Sequence, residues 1–180
     1  MLEAVSKFVK AKMKDFKESN INLMKEIVQT YICIATNCDA INKRTFHVGM
    51  QFMVEKIGDI KLSVQIKECM VLAAEKVSPK YISNQIIKYA STTKAPKNIQ
   101  ESCLILVTII DDFGVKGVPL KESIDFGKLA AAHATPAVRQ SANKLFCELF
   151  KHAGEGIRTF MEDIKESTLK VIDAELAKNT

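Results

Sequence analysis

The sequence predicts an all-α solenoid of about five antiparallel helical hairpins, and three observations carry that expectation. Apolar residues recur at helical spacing along nearly the whole chain. Short polar, basic breaks interrupt them about every 40 residues, the period of helical-hairpin arrays. No run alternates with period two over the length of a strand, and β-branched stretches such as LILVTII at 104–110 sit inside longer helical patterns. One hairpin cannot bury both of its apolar faces, so stacking the hairpins gives a quasi-linear core with nearest-neighbour interfaces.

The first hairpin is expected from a short helix over 2–12 and a second helix in which Ile21, Met24, Ile27, Tyr31 and Ile34 share a face, with Ser19 or Asn20 as N-cap. In the second, Phe46, Met50, Met53 and Ile57 lead to a break at Gly58-Asp59, followed by Ile66, Met70, Ala73 and Val77. Gly58 is read there as a helix C-terminus with a positive backbone angle. The third runs through Ile82, Ile86 and Tyr89 after Pro79, breaks across 92–96, and resumes with Ile99, Cys103, Leu106, Ile110 and Phe113. The fourth places Leu120, Ile124, Gly127 and Ala131 after Pro119, then Val138, Ala142, Leu145 and Leu149 after Thr135-Pro136, a capping Thr followed by Pro at the first helical position. A shorter fifth hairpin has Ile157 and Phe160, then Leu169, Ile172 and Leu176 behind Lys165. The first helix carries Leu2, Val5, Phe8 and Val9 where a terminal repeat should be polar outside, so either an upstream segment covers them or they staple that helix.

Composition narrows the class. The 180 residues are 47% hydrophobic and 26% charged, with 7 Gly and 4 Pro, which is enough apolar material for one domain over 1–180 and shows no internal linker. No continuous apolar stretch has the length of a membrane span and the N-terminus lacks a signal-peptide core, so a cytoplasmic protein is expected. The five cysteines are odd in number and fall within apolar helical patterns, which reads as buried thiols; Cys33 and Cys38 lack a second ligand pair at zinc spacing. A net charge of +5 favours acidic partners, but Arg44, Arg139 and Arg158 are the only arginines, too few for bidentate recognition of phosphates or bases, and nucleic acid is not expected.

Catalysis has no visible foothold. His47, His133 and His152 lie in different repeats without a nucleophile and base at a workable spacing, and each is read as a surface or packing residue. Asp111-Asp112 are adjacent on a helix and point apart, so they are read as a solvated helix end. Neither phosphate-binding glycine motif is present, and no cofactor is expected. Met50, Met53 and Met70 fall on the apolar stripe as core filler.

The D-x-K elbow at Asp59 to Lys61 and V-R-x-x-A at Val138 to Ala142 resemble HEAT repeats. Longer strings go further: FKESNINLM at 16–24, VEKIGDIKL at 54–62, TPAVR at 135–139 and above all RTFMEDIKESTLKVIDAELAK at 158–178 resemble TOG domains of the microtubule polymerase family, most of all the internal TOG domains of its long multi-TOG members. The resemblance implies a non-catalytic domain of a longer chain at microtubules, spindle or centrosome. It would bind the αβ-tubulin heterodimer along the narrow edge of intra-repeat loops, in tandem with neighbouring TOG domains. Two departures stand out. A TOG domain ordinarily has six repeats and the first is missing from the five read here; the family's first-elbow Trp is absent, Phe16 taking the aromatic position of the first visible elbow.

Carried over one loop at a time, the candidate tubulin contacts are Phe16 and Lys17, Lys61, Lys94 and Lys97, Arg139, and Lys165. Each lysine alone reads equally as a solvated loop residue; it is the set in register that points to binding. Phe16 has two readings, interface anchor or contact beneath its own loop, which Phe16→Ala separates by lowering affinity or stability respectively. The rival functions are a HEAT scaffold for another acidic protein and a HEAT-like DNA glycosylase, the latter disfavoured by zero Trp and sparse Arg.

Overall fold

Two asparagines set the first helix starts. In the computed structural model, which describes Lys7, Ala11, 19–39, 41–161, Ile164 and 166–178, the Asn20 side chain accepts hydrogen bonds from the backbone of Asn22 (3.0 Å) and Leu23 (3.3 Å), opening α1 (Ile21–Asn37). Asn42 accepts from Arg44 N (2.9 Å) and opens α2 (Lys43–Lys56). Such caps satisfy donors that have no partner within the helix. The helix expected over 2–12 lies outside the described residues apart from Lys7 and Ala11.

The remaining helices are α3 (Ser63–Lys76), α4 (Pro79–Ala90), α5 (Pro96–Phe113), α6 (Leu120–Ala131), α7 (Pro136–Ala153) and α8 (Glu166–Lys178). Pro79, Pro96 and Pro136 each stand at the first helical turn, where a missing N–H is not felt. Ser78 accepts from Tyr81 N (3.3 Å) to cap α4. Gly114 and Gly154, at φ +70° and +71°, stop α5 and α7 in the left-handed backbone region that glycine adopts without strain.

The helices form two rows. α1, α3, α5, α7 and α8 pack in succession along one row, and α2, α4 and α6 along the other, with α2–α3, α4–α5 and α6–α7 as hairpins between them. The predicted stripe residues Phe46, Met50, Met53, Ile66, Met70, Ile82, Ile86, Cys103, Leu106, Val138, Leu145 and Leu149 are all fully buried in one continuous core. This is the solenoid the sequence predicts, without strands among the described residues.

Four details differ. The first arm of the last hairpin is a short 3-10 segment, Glu155–Phe160, between Gly154 and the buried Met161; Ile157 is buried but Phe160 is half exposed. Gly58 has no positive φ, and its reason for being glycine is close approach, described below. Thr135 precedes Pro136 but makes no side-chain cap. Cys69 and Cys103 are buried, desolvation pushing the Cys103 thiol up to about 12, whereas Cys33 is exposed and Cys38 and Cys147 half-buried. No helix among the described residues is long and apolar enough to cross a membrane.

Candidate functional site

The elbows between paired helices fall on one edge of the solenoid because the helices of each row run in the same direction. On that edge α1, α3, α5 and α7 all begin, and none has an acidic residue in its first turn. Four positive helix ends therefore face the same way, with no acidic residue in their first turns, and add to the lysines beside them.

Contacts between successive elbows are specific. Ser19, Ile21 and Met24 share one open depression with Gly58, Asp59, Ile60 and Lys61, which puts the close of the first elbow beside the second. Asp59 shapes the second elbow: its carboxylate accepts from Lys61 N (2.8 Å), and its carbonyl accepts from Leu62 N (3.0 Å) and Ser63 N (2.8 Å) to launch α3. The D-x-K spacing is thus a turn device that holds Lys61 outward. The third elbow reaches back through Asn98, whose Nδ2 donates to the Glu55 carbonyl (2.7 Å) and whose Oδ1 accepts from Gly58 N (3.0 Å).

The expected contact residues have different fates. Lys61 and Lys94 are exposed and form no ion pair among the described residues. Lys97 is exposed but paired at 2.9 Å with Glu101, which is also bridged by Lys67. Arg139 turns its guanidinium onto its own loop, Nη1 donating to the carbonyls of His133 (3.0 Å) and Ala134 (2.6 Å), so it holds the fourth elbow in shape while staying exposed. Phe16, Lys17 and Lys165 lie outside the described residues.

Burial pushes the Glu101 carboxyl up, yet the hydrogen bonds and charges of Lys67 and Lys97 outweigh it and hold the group below the ordinary glutamate value. A lowered folded-state pKa contributes stability above the unfolded pKa, and that contribution is lost as pH falls through the folded value. Thermal melts from about pH 6 to about pH 3 should therefore show an acid-side loss that shrinks in Glu101→Gln. An unchanged pH slope in that variant would remove Glu101 from the account.

Sequence reasoning missed two groups. Ile60 and Val64 are 90% and 76% exposed, giving the second elbow an apolar tip beside Lys61. The signal was available: both fall off the 62, 66, 69, 73 stripe that α3 and its preceding residue bury. His133 is more than an incidental surface residue, since its Nδ1 accepts from Thr135 N (3.0 Å) and so helps to shape the fourth elbow.

On the opposite edge, Asp111, Glu148 and His152 bring one ligand atom each within 4.8 Å of the others. The Lys151 ammonium bonds both carboxylates, Asp111 at 2.9 Å and Glu148 at 3.0 Å, and holds the Asp111 carboxyl below its ordinary value. The Lys151 ammonium already occupies both carboxylates of that cluster, and Asp111 is an ion-paired helix end rather than a merely solvated one.

Comparison with known proteins agrees with this fold. Residues 64–176 match the family model described as XMAP215/Dis1/CLASP, TOG domain. Protein MOR1 of Oryza sativa subsp. japonica is 28% identical over 165 residues, covering 91% of this chain and 8% of that protein, so the chain spans about a twelfth of the relative's length. Drosophila melanogaster Mini spindles TOG3 superposes with a TM-score of 0.86 at 20% identity, over 98% of this chain and 77% of that one. A structure described by TOG-tubulin binding specificity in microtubule dynamics and mitotic spindle formation superposes with a TM-score of 0.82 at 14% identity, over 96% and 67%.

Proposed function

We propose, from the premise that this chain belongs to the XMAP215/Dis1/CLASP TOG-domain family, that its elbow edge binds the αβ-tubulin heterodimer without catalysis. The observation that supports this best is the second elbow. An apolar tip, Ile60 with Val64, stands beside Lys61, which forms no ion pair among the described residues, on an edge lined by positive helix ends. Tubulin is acidic, so the cations steer encounter while the apolar tip supplies desolvation at contact.

Lys61 and Lys94 are the direct cationic contacts in this reading, with Lys97 contributing through a charge shared with Glu101. Arg139 acts chiefly by shaping the fourth elbow. Phe16, Lys17 and Lys165, which lie outside the described residues, are carried into this reading as contacts on the strength of the sequence resemblance alone. In a longer chain, tandem TOG domains raise the effective concentration of tubulin at a growing microtubule end, so modest affinity of one domain suffices. Such a chain works in the cytoplasm on the microtubule cytoskeleton.

Gel filtration with purified tubulin, run beside duplex DNA at matched salt, tests the reading. Co-elution with tubulin and none with DNA is expected, weakening as salt rises. Retention of DNA without tubulin would overturn it.

A further inference from the structure

Asn98 is a buried polar side chain, 8% exposed, in the first turn of α5, yet it bonds two groups that both lie outside its own repeat. It bonds the Glu55 carbonyl, in the last turn of α2, and the Gly58 N–H, which opens the second elbow. The approach is too close for any other residue at 58. A Cβ there would stand 2.4 Å from Asn98 Oδ1 and 3.0 Å from both Asn98 N and Lys97 Cγ.

One turn further along α5, Glu101 is 6% exposed and joins Lys67 of α3 to Lys97 of its own helix. The second elbow is therefore tied to α5 on both sides, through the end of α2 by Asn98 and through the start of α3 by Glu101. A loop fixed at both ends loses little entropy when a partner binds its tip.

Resting on the tubulin-binding reading, we propose that Asn98 is a positioning residue, locking the second elbow to the third so that Ile60 and Lys61 are presented as one preorganised unit with the α5 N-terminus. Asn98 touches no partner itself. Its contribution appears only through the residues it holds.

Asn98→Leu keeps the shape and removes both bonds, and Gly58→Ala forces the elbow off Asn98 from the other side. Two readouts are needed. Hydrogen exchange without tubulin should show faster exchange at the amide of position 58 and across 57–62 in both variants, with the buried helices unchanged. Tubulin binding should weaken about 10-fold in both, and Lys61→Ala should lose much of its effect when combined with Asn98→Leu. A purely structural role would lower the melting temperature and leave the Lys61 effect additive. Unchanged exchange at 57–62, or additivity of Lys61→Ala with Asn98→Leu, overturns the proposal. Wild-type protein that fails to bind tubulin overturns the functional reading and the positioning role with it, and is distinguished by appearing without any substitution.

Discussion

Tubulin binding is expected to fall at least about 30-fold when Ile60→Asp and Lys61→Glu are combined, the loss typical of removing a hot spot. Ile60 is 90% exposed, so the change removes no core contact. It replaces an apolar tip with a charge that must be desolvated on binding and reverses the neighbouring cation, so an acidic partner meets repulsion in place of attraction. Stability should stay within about 0.5 kcal/mol of wild type, as for surface substitutions generally. Titration calorimetry read beside a thermal melt checks both halves. Lys94→Ala alone, on the same edge, should change affinity by less than about 1 kcal/mol, because a solitary exposed charge contributes little.

Phe146→Ala should destabilise the fold by about 3–5 kcal/mol, the range for truncating a buried aromatic. Phe146 is fully buried in α7, the helix that packs against α5, α6 and α8 and so joins the two rows. A cavity there weakens interfaces on several sides, and in a stacked array each repeat depends on its neighbours. Urea unfolding measures it, with Leu129→Ala, 41% exposed on α6, as a control expected to shift the midpoint little.

How much of this was legible in the sequence depends on the kind of interaction. Helical spacing found the buried stripes of α1 to α7 because burial follows period, and Pro79, Pro96 and Pro136 marked helix starts because their effect is local. The meaning of Gly58 was not legible, since it depends on Asn98, 40 residues away. Arg139 looked like a contact and is also a strut, because its acceptors are backbone carbonyls that no side-chain pattern reveals. Lys97 looked free until Glu101 was seen beneath it. Ile60 and Val64 were readable as off-stripe apolar residues but were absorbed into the helix beside them.

Which edge meets the partner is the central claim, and hydrogen exchange of the chain with and without tubulin tests it most directly. Protection is predicted at 57–62, 91–95 and 132–135, the three fully described elbows, with no change at the inter-repeat turns 77–78 and 114–119. Protection confined to those inter-repeat turns would contradict the account.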